Sequence, residues 1–259
     1  MYIVIAMAGG SRRFYDLGFK EAKFKLIVRE RPLFDWALSS LRNFYKETTF
    51  VFVSMEGSDD FISQRCRILG INSFKVSCLD ARTDGQATTV MKGVQSLEQE
   101  RPLFIYNIDT YINPDILNIS DIKQSYDGWL LLFPAPGSHW SFAKVNMENK
   151  VIAVSEKVRI SGLASTGLYY FKSISIFKDA YRFMKDKIKE RYKEVYVAPL
   201  YNVLIENNKL ISSKIMDRKD IVPLGTPNEV LRFDPEFFKR YGIKHDNYML
   251  KKFKGFFSQ

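Results

Sequence analysis

With 259 residues, 46% of them hydrophobic, the chain can bury the core of one large α/β domain or two small ones. No segment approaches the ~18 consecutive apolar residues of a membrane span, and Tyr2 opens an apolar run with no basic leader before it, so a cytoplasmic protein that does not engage the membrane is expected. The net charge of +10 suits nucleic acid, an acidic surface or small polyanionic substrates, but RNP, zinc-finger and helix-turn-helix signatures are absent, so nucleic acid is not the expected partner.

Strand-like and helical patterns alternate along the first half. Residues 2–7 form an apolar, β-branched run expected as a buried strand. Residues 32–44 have apolar positions at helical spacing and a proline suited to a first turn. A strand over 49–54, a helix over 59–69, a strand over 73–78, a helix over 86–97 and a strand over 102–108 follow. This rhythm predicts a parallel sheet with helices on both faces, and such sheets bind ligands at the carboxyl ends of their strands.

After residue 113 the rhythm changes. Strands are expected over 128–133, 141–145, 151–156 and 163–171, with a hairpin turn over 147–150. Helices over 174–190 and 197–206, a strand over 210–216 and a helix over 227–238 complete the pattern. The second half reads as an insertion that extends the same sheet and walls off a pocket. The basic and aromatic residues after Phe238 read as a loosely docked tail. Cys66 and Cys78 are expected as reduced, partly buried thiols, and with only His139 and His245 besides, a zinc site is not expected.

The most informative segment follows the first strand. Gly9-Gly10-Ser11 lets the backbone turn sharply and approach a ligand, and successive N–H groups in such a turn form an anion-binding nest. Arg13 and Lys23 add positive charge, so the segment suits a polyphosphate; a surface turn with solvated arginines is the plainer reading. Neither a dinucleotide fingerprint nor a Walker A loop is present. Asp109, ending a strongly apolar strand, suits either Mg²⁺ coordination or the capping of a following helix. Gly85 and Gln86 either pass a nucleobase or simply start a helix. Glu156 and Lys157 either grip an acceptor or form an exposed turn pair. Gly167 interrupts an aromatic strand, as happens where a ligand comes close. Trp129, Trp140, Tyr169 and Tyr170 are candidates for a pocket wall, with core packing the general expectation.

In chain order, MAGGSRRF, KEAKFKLIV, RPLFDWAL, DGQATTV, YNIDTYI, SEK, TGLYYF and PLGTPNEVL resemble the sugar-phosphate nucleotidylyltransferase family over residues 1–233. The combination looks closest to short capsule-cluster members such as CTP:phosphoglutamine cytidylyltransferases. The resemblance implies a Rossmann-like, mixed but mainly parallel sheet flanked by helices, of the nucleotide-diphospho-sugar transferase type, with an inserted acceptor-binding β region. It implies one domain over 1–259, with an NTP-binding half (1–113), an acceptor-binding half (114–233) and a basic C-terminal tail (234–259).

The resemblance also implies an activity and a residue set. NMP would pass from an NTP, with CTP favoured and UTP or dTTP the alternatives, to the phosphate of a small acceptor, releasing pyrophosphate. Ala8, Gly9, Gly10, Ser11, Gly85, Gln86 and Asn107 would bind the nucleotide. Arg13 and Lys23 would act on its phosphates, and Asp109 would hold Mg²⁺ as cofactor. Glu156, Lys157 and Gly167 would take the acceptor. The family often has a second metal-binding aspartate two residues before the glycine of G-T-P, where this chain has Pro223. A homo-oligomer is neither required nor excluded. The non-enzyme alternative, a basic nucleic-acid-binding protein, predicts binding that weakens steeply with salt.

Overall fold

The computed structural model describes residues 1–122 and 125–243. The elements run in chain order as β1 (Tyr2–Ala6), α1 (Arg12–Tyr15), β2 (Ile27–Val28), β3 (Arg31–Pro32), α2 (Leu33–Ser39), β4 (Thr49–Met55), α3 (Asp59–Leu69) and β5 (Phe74–Leu79). Next come α4 (Gln86–Gly93), β6 (Leu103–Asn107), β7 (Thr110–Ile112), β8 (Gly128–Pro134), β9 (Ser141–Val145), β10 (Val151–Glu156) and β11 (Leu163–Phe171). The last are α5 (Ile174–Tyr192), α6 (Tyr201–Glu206), β12 (Ile211–Ile215), β13 (Ile221–Pro223), α7 (Pro227–Phe233) and α8 (Phe237–Arg240).

A nine-stranded sheet follows the path β10-β9-β11-β6-β1-β4-β5, with β8 pairing β11 and β12 to one side of it. β5, β4, β1 and β6 are parallel, whereas β11 runs antiparallel to β6, β8 and β9. The sheet is therefore mixed, and parallel along β5-β4-β1-β6, as expected. The chain winds outward from β1 to β5 and then returns to place β6 on β1's other side. That reversal opens a crevice at the carboxyl ends of β1 and β6.

Alternation along the strands feeds two cores. Val4, Val51, Val53 and Ile105 meet Ala87 and Val90 of α4 and Phe177 of α5 on one face. Ile3, Ile5, Phe50, Phe52 and Tyr106 meet Phe34 and Leu38 of α2 and Ile62 of α3 on the other. β1 reads as a continuous apolar run because both of its faces are covered. Cys66 lies in this second core, but Cys78 on the edge strand β5 is exposed, so only one thiol is sheltered.

A third cluster joins Phe14, Phe19, Leu26 and Val28 to Leu224, Val230, Phe237 and Phe238. It packs the end of the described chain onto the segment that follows β1. The Asp234 carboxylate accepts from the Arg29 N–H at 2.8 Å, and the Tyr241 hydroxyl accepts from the Ile27 N–H at 2.6 Å. The rest of the expected tail, 244–259, including His245, lies outside the described residues.

Several boundaries differ from the pattern reading. The expected helix over 227–238 is two helices, because Pro235 drives Asp234 into an extended conformation (φ −129°, ψ 92°). The helix over 86–97 stops at Gly93, and those over 32–44 and 197–206 are each part 3₁₀ turn. The short antiparallel pairs β2–β3 and β7–β13 were too brief to register as patterns. Among the described residues, no helix is long and apolar enough to cross a membrane.

Candidate active site

The crevice holds a cleft of about 640 Å³. Its walls include Ala8, Gly9, Gly10, Ser11, Arg13, Lys23, Gly85, Gln86, Asn107 and Asp109 on one side and Glu156 and Gly167 on the other. Topology thus gathers residues spread over more than half the chain. Of the candidates for binding or catalysis, Lys157 stands outside this wall.

The segment after β1 is fastened at Ser11, which sits in the left-handed region (φ 46°). Its hydroxyl accepts from the Lys23 N–H at 3.0 Å, which brings Lys23 back beside the loop. The Lys23 ammonium then donates to Asp109 Oδ2 at 2.5 Å, at the end of β6. No helix begins at Asp109; β7 does, so the capping alternative falls. One wall therefore carries loop, lysine and carboxylate as a bonded chain.

Gln86 Nε2 donates to Asn107 Oδ1 at 2.5 Å, joining the start of α4 to the end of β6. Gly85 has a packing reason to be glycine, because a Cβ there would lie 2.3 Å from the Val195 backbone nitrogen. Val195 pairs with this turn through its N–H to the Asp84 carbonyl and its carbonyl to the Ala87 N–H, both 2.9 Å.

Gly167 sits in a register shift of β11 against β8, between Ser165 and Tyr169, with φ +86°. Such a bulge bends the strand, and the positive φ favours glycine. The group that approaches it is Asn107: a Cβ would lie 2.3 Å from the Asn107 amide nitrogen. Gly167 and Asn107 thus meet between the two halves of the cleft.

The far wall is a buried polar cluster. Glu156, 4% exposed at the end of β10, accepts a hydrogen bond from the Ser141 hydroxyl. Burial pushes its carboxyl above the ordinary range, against the opposing pull of Ser141 and Lys157. Tyr169 is pushed up to about 12, mostly by burial and then by the nearby Glu156 charge. Lys157 points to the rim, donating to the Tyr196 hydroxyl at 2.5 Å and lying 4.5 Å from that ring's centre. Of the aromatic candidates, Trp140 and Tyr169 line the cleft, whereas Trp129 and Tyr170 pack into the core.

Sequence reasoning missed Tyr196 and Glu229, both in the cleft wall. Glu229 caps α7: the Thr226 hydroxyl donates to its carboxylate at 2.9 Å and accepts from its N–H at 3.3 Å. T-P-N-E is a recognisable helix start, but nothing in it announces a carboxylate facing Asp109. At the position expected to hold an aspartate, Pro223 pairs with Thr110 across β13 and β7.

A nucleoside-diphosphate-sugar pyrophosphorylase from Vibrio cholerae RC9 superposes with a TM-score of 0.82 at 33% identity, covering 89% of this chain and 98% of that one. The inositol-1-phosphate CTP transferase of T. maritima (TM-score 0.71, 16% identity, 92% and 95% coverage) and a UDP-glucose pyrophosphorylase complexed with UDP-glucose (0.72, 12%, 92% and 98%) share the fold. Neither the protein-family models nor the curated proteins gave a match. The sheet order, the crevice at its reversal and the Vibrio likeness together define a nucleotidyltransferase of the nucleotide-diphospho-sugar transferase fold. The chain belongs to the nucleotidylyltransferase family.

Proposed function

We propose that the protein transfers a nucleoside monophosphate, from CTP first among the NTPs, to the phosphate of a small phosphorylated acceptor, with release of pyrophosphate. The observation that carries this reading is the bonded chain Ser11–Lys23–Asp109, in the cleft that Glu156 also lines. An acceptor phosphate oxygen attacks the α-phosphorus. The bond from that phosphorus to the bridging oxygen breaks, and pyrophosphate leaves with the electron pair. The attacking oxygen is already anionic near neutral pH, so the enzyme's task is alignment and charge stabilisation. Arg13 and Lys23 supply charge to the triphosphate; Glu156 from the floor and Lys157 from the rim take the acceptor, beside Gly167. Gln86 and Asn107, bonded to each other, hold the nucleoside with Gly85.

Mg²⁺ fits this site by the chemistry of its donors. A Cβ on Gly225 would lie 2.9 Å from Asp109 Oδ2 and 3.6 Å from Glu229 Oε2, so the bare glycine leaves a hollow edged by two carboxylates. Mg²⁺ takes one or two carboxylates together with phosphate oxygens and water. Asp109 would hold it, with Glu229 at the hollow's edge, and when bound the ion offsets charge developing on the phosphates. Among the described residues no cluster of three His, Cys, Asp or Glu could hold a metal, so the nucleotide must bring further ligands.

The preference for CTP, and a place in making surface-polysaccharide precursors such as those for capsular phosphoramidate, rest on the resemblance to capsule-cluster members. A second reading, UTP or dTTP with a sugar 1-phosphate, is favoured by the sugar-nucleotide description of the Vibrio relative. Pyrophosphate release with Mg²⁺ is the test, running CTP, UTP, dTTP, ATP and GTP against phosphorylated sugars, polyols and phosphoglutamine. Release that needs CTP and a non-sugar acceptor supports the first reading. Release with UTP or dTTP and a sugar 1-phosphate replaces it with the second. Silence across the panel together with no NTP binding overturns both.

A further inference from the structure

Lys23 is already engaged by Asp109, so less of the cleft's positive charge is free for a triphosphate than the sequence suggests. A second arginine stands where that charge is needed. We propose that Arg82 binds the polyphosphate over the Gly9-Gly10 loop, a role that rests on the NTP-binding reading above and extends it to a residue no motif marks.

The geometry is specific. Arg82 lies in the connection from β5 to α4 and lines the cleft. Its guanidinium lies against Gly10: a Cβ at that glycine would be 2.7 Å from Nη1, 2.9 Å from Cζ and 3.3 Å from Nη2. The guanidinium thus lies directly over the bare face of Gly10. Among the described residues, this guanidinium makes no hydrogen bond and no ion pair.

The residues just after it are fastened. The Thr83 hydroxyl donates to the Gly85 carbonyl at 2.9 Å and shares a 2.6 Å hydrogen bond with the Thr89 hydroxyl. Asp84 accepts from Thr88 at 2.5 Å and pairs with Lys189 at 2.7 Å. The connection is thus pinned to α4 and α5, while the arginine is left facing the loop. A planar, permanently charged fork with free N–H groups beside a nest of backbone N–H groups suits bidentate phosphate binding.

Arg13 lines the same cleft, and its charge acts on Tyr196. Two guanidinium groups in one cleft would share the charge of a polyphosphate, leaving Lys23 beside the Asp109 carboxylate.

Isothermal titration of the full chain with CTP, UTP, dTTP, their monophosphates and inorganic pyrophosphate, in Mg²⁺, tests this. Arg82→Ala should raise the Kd for pyrophosphate and for the preferred triphosphate about tenfold or more, with the monophosphate Kd within about twofold and the Tm unchanged. Arg82→Lys should fall between, because a point charge replaces the fork. Unaltered pyrophosphate and triphosphate affinity in Arg82→Ala, alongside a loss in Arg13→Ala, overturns the role of Arg82 and leaves the site reading standing. An equal loss of monophosphate affinity also overturns it, since the contact would then be to the nucleoside. Wild-type protein that binds neither nucleotide nor pyrophosphate overturns the NTP site itself.

Discussion

The Lys23 ammonium lies 2.5 Å from Asp109 Oδ2, although 86 residues separate the two in sequence. Ser11 fastens the backbone at Lys23, and β6 delivers Asp109 beside β1 through its parallel pairing. The pair ties the segment after β1 to the end of β6, so Lys23 and Asp109 stand together in the cleft.

Lys23→Ala and Asp109→Asn should each lower turnover about 10²- to 10³-fold, the usual scale for losing one preorganised charge at a reacting centre. The fold should survive, because both side chains line the open cleft, where solvent can reach the charge that is left. Steady-state pyrophosphate release and thermal melts measure the two effects. Near-wild-type turnover in either variant removes that residue from the site.

Chelation should separate activity from folding. With a few carboxylates rather than a full ligand set facing the hollow, the empty protein gains little from Mg²⁺. EDTA should abolish turnover while leaving the Tm of the nucleotide-free protein unchanged. With NTP present, Mg²⁺ should raise the Tm through binding linkage. An EDTA-induced fall in the nucleotide-free Tm would point to a structural metal instead.

Gly167→Ala should cost about 1–3 kcal/mol in denaturant unfolding, since the residue is held at φ +86° and its Cβ would collide with Asn107. The collision should displace the Asn107 amide and loosen its contact with Gln86. NTP affinity should therefore fall with stability. Unchanged stability and affinity would show that β11 can relax around the new methyl group.

Phe237→Ala tests the packing beneath the loop. Phe237 is fully buried and stacks on Phe19 with centroids 5.0 Å apart, beside Phe14 of α1. Its loss should destabilise the protein by about 3–5 kcal/mol. Because Phe14 follows Arg13 directly, NTP affinity should weaken as well. A normal Kd at a temperature where the variant remains folded would uncouple the C-terminal helices from the loop.

The parallel half of the fold was legible because each strand is an apolar run bounded by turn residues, and the phosphate-loop segment is contiguous. What escaped depends on contacts distant in sequence. Gly85 was open between passing a nucleobase and starting a helix; it does precede α4, and nothing near it in sequence announces the Val195 backbone that packs against its bare side. Glu229 and Tyr196 reach the cleft only through the packing of β13 on β7 and the exit from α5. The three-residue strands β7 and β13 are too short to show any period. Gly167 was expected where a ligand comes close; the group that lies against its bare side is Asn107, from another strand.

Glu156 gives the site a pH signature of definite sign. Its folded carboxyl lies above the ordinary value of 4.5, chiefly through burial. Below that value it is protonated in both folded and unfolded chains, and burial costs nothing. As pH rises through the folded pKa, the native state must ionise a buried carboxyl, and that part of the stability is lost. Glu156→Gln keeps a polar partner for the Ser141 hydroxyl and carries no charge. The variant should therefore melt above the wild type near neutral pH, with the gap closing below pH 4.5. It should also show a raised KM for the acceptor, since the amide has one fewer acceptor oxygen for hydroxyl groups in the cleft. Parallel Tm measurements across this range decide the point. A gap that widens toward acid would mean that Glu156 is stabilised as an anion in the fold, by Ser141 and Lys157 outweighing burial.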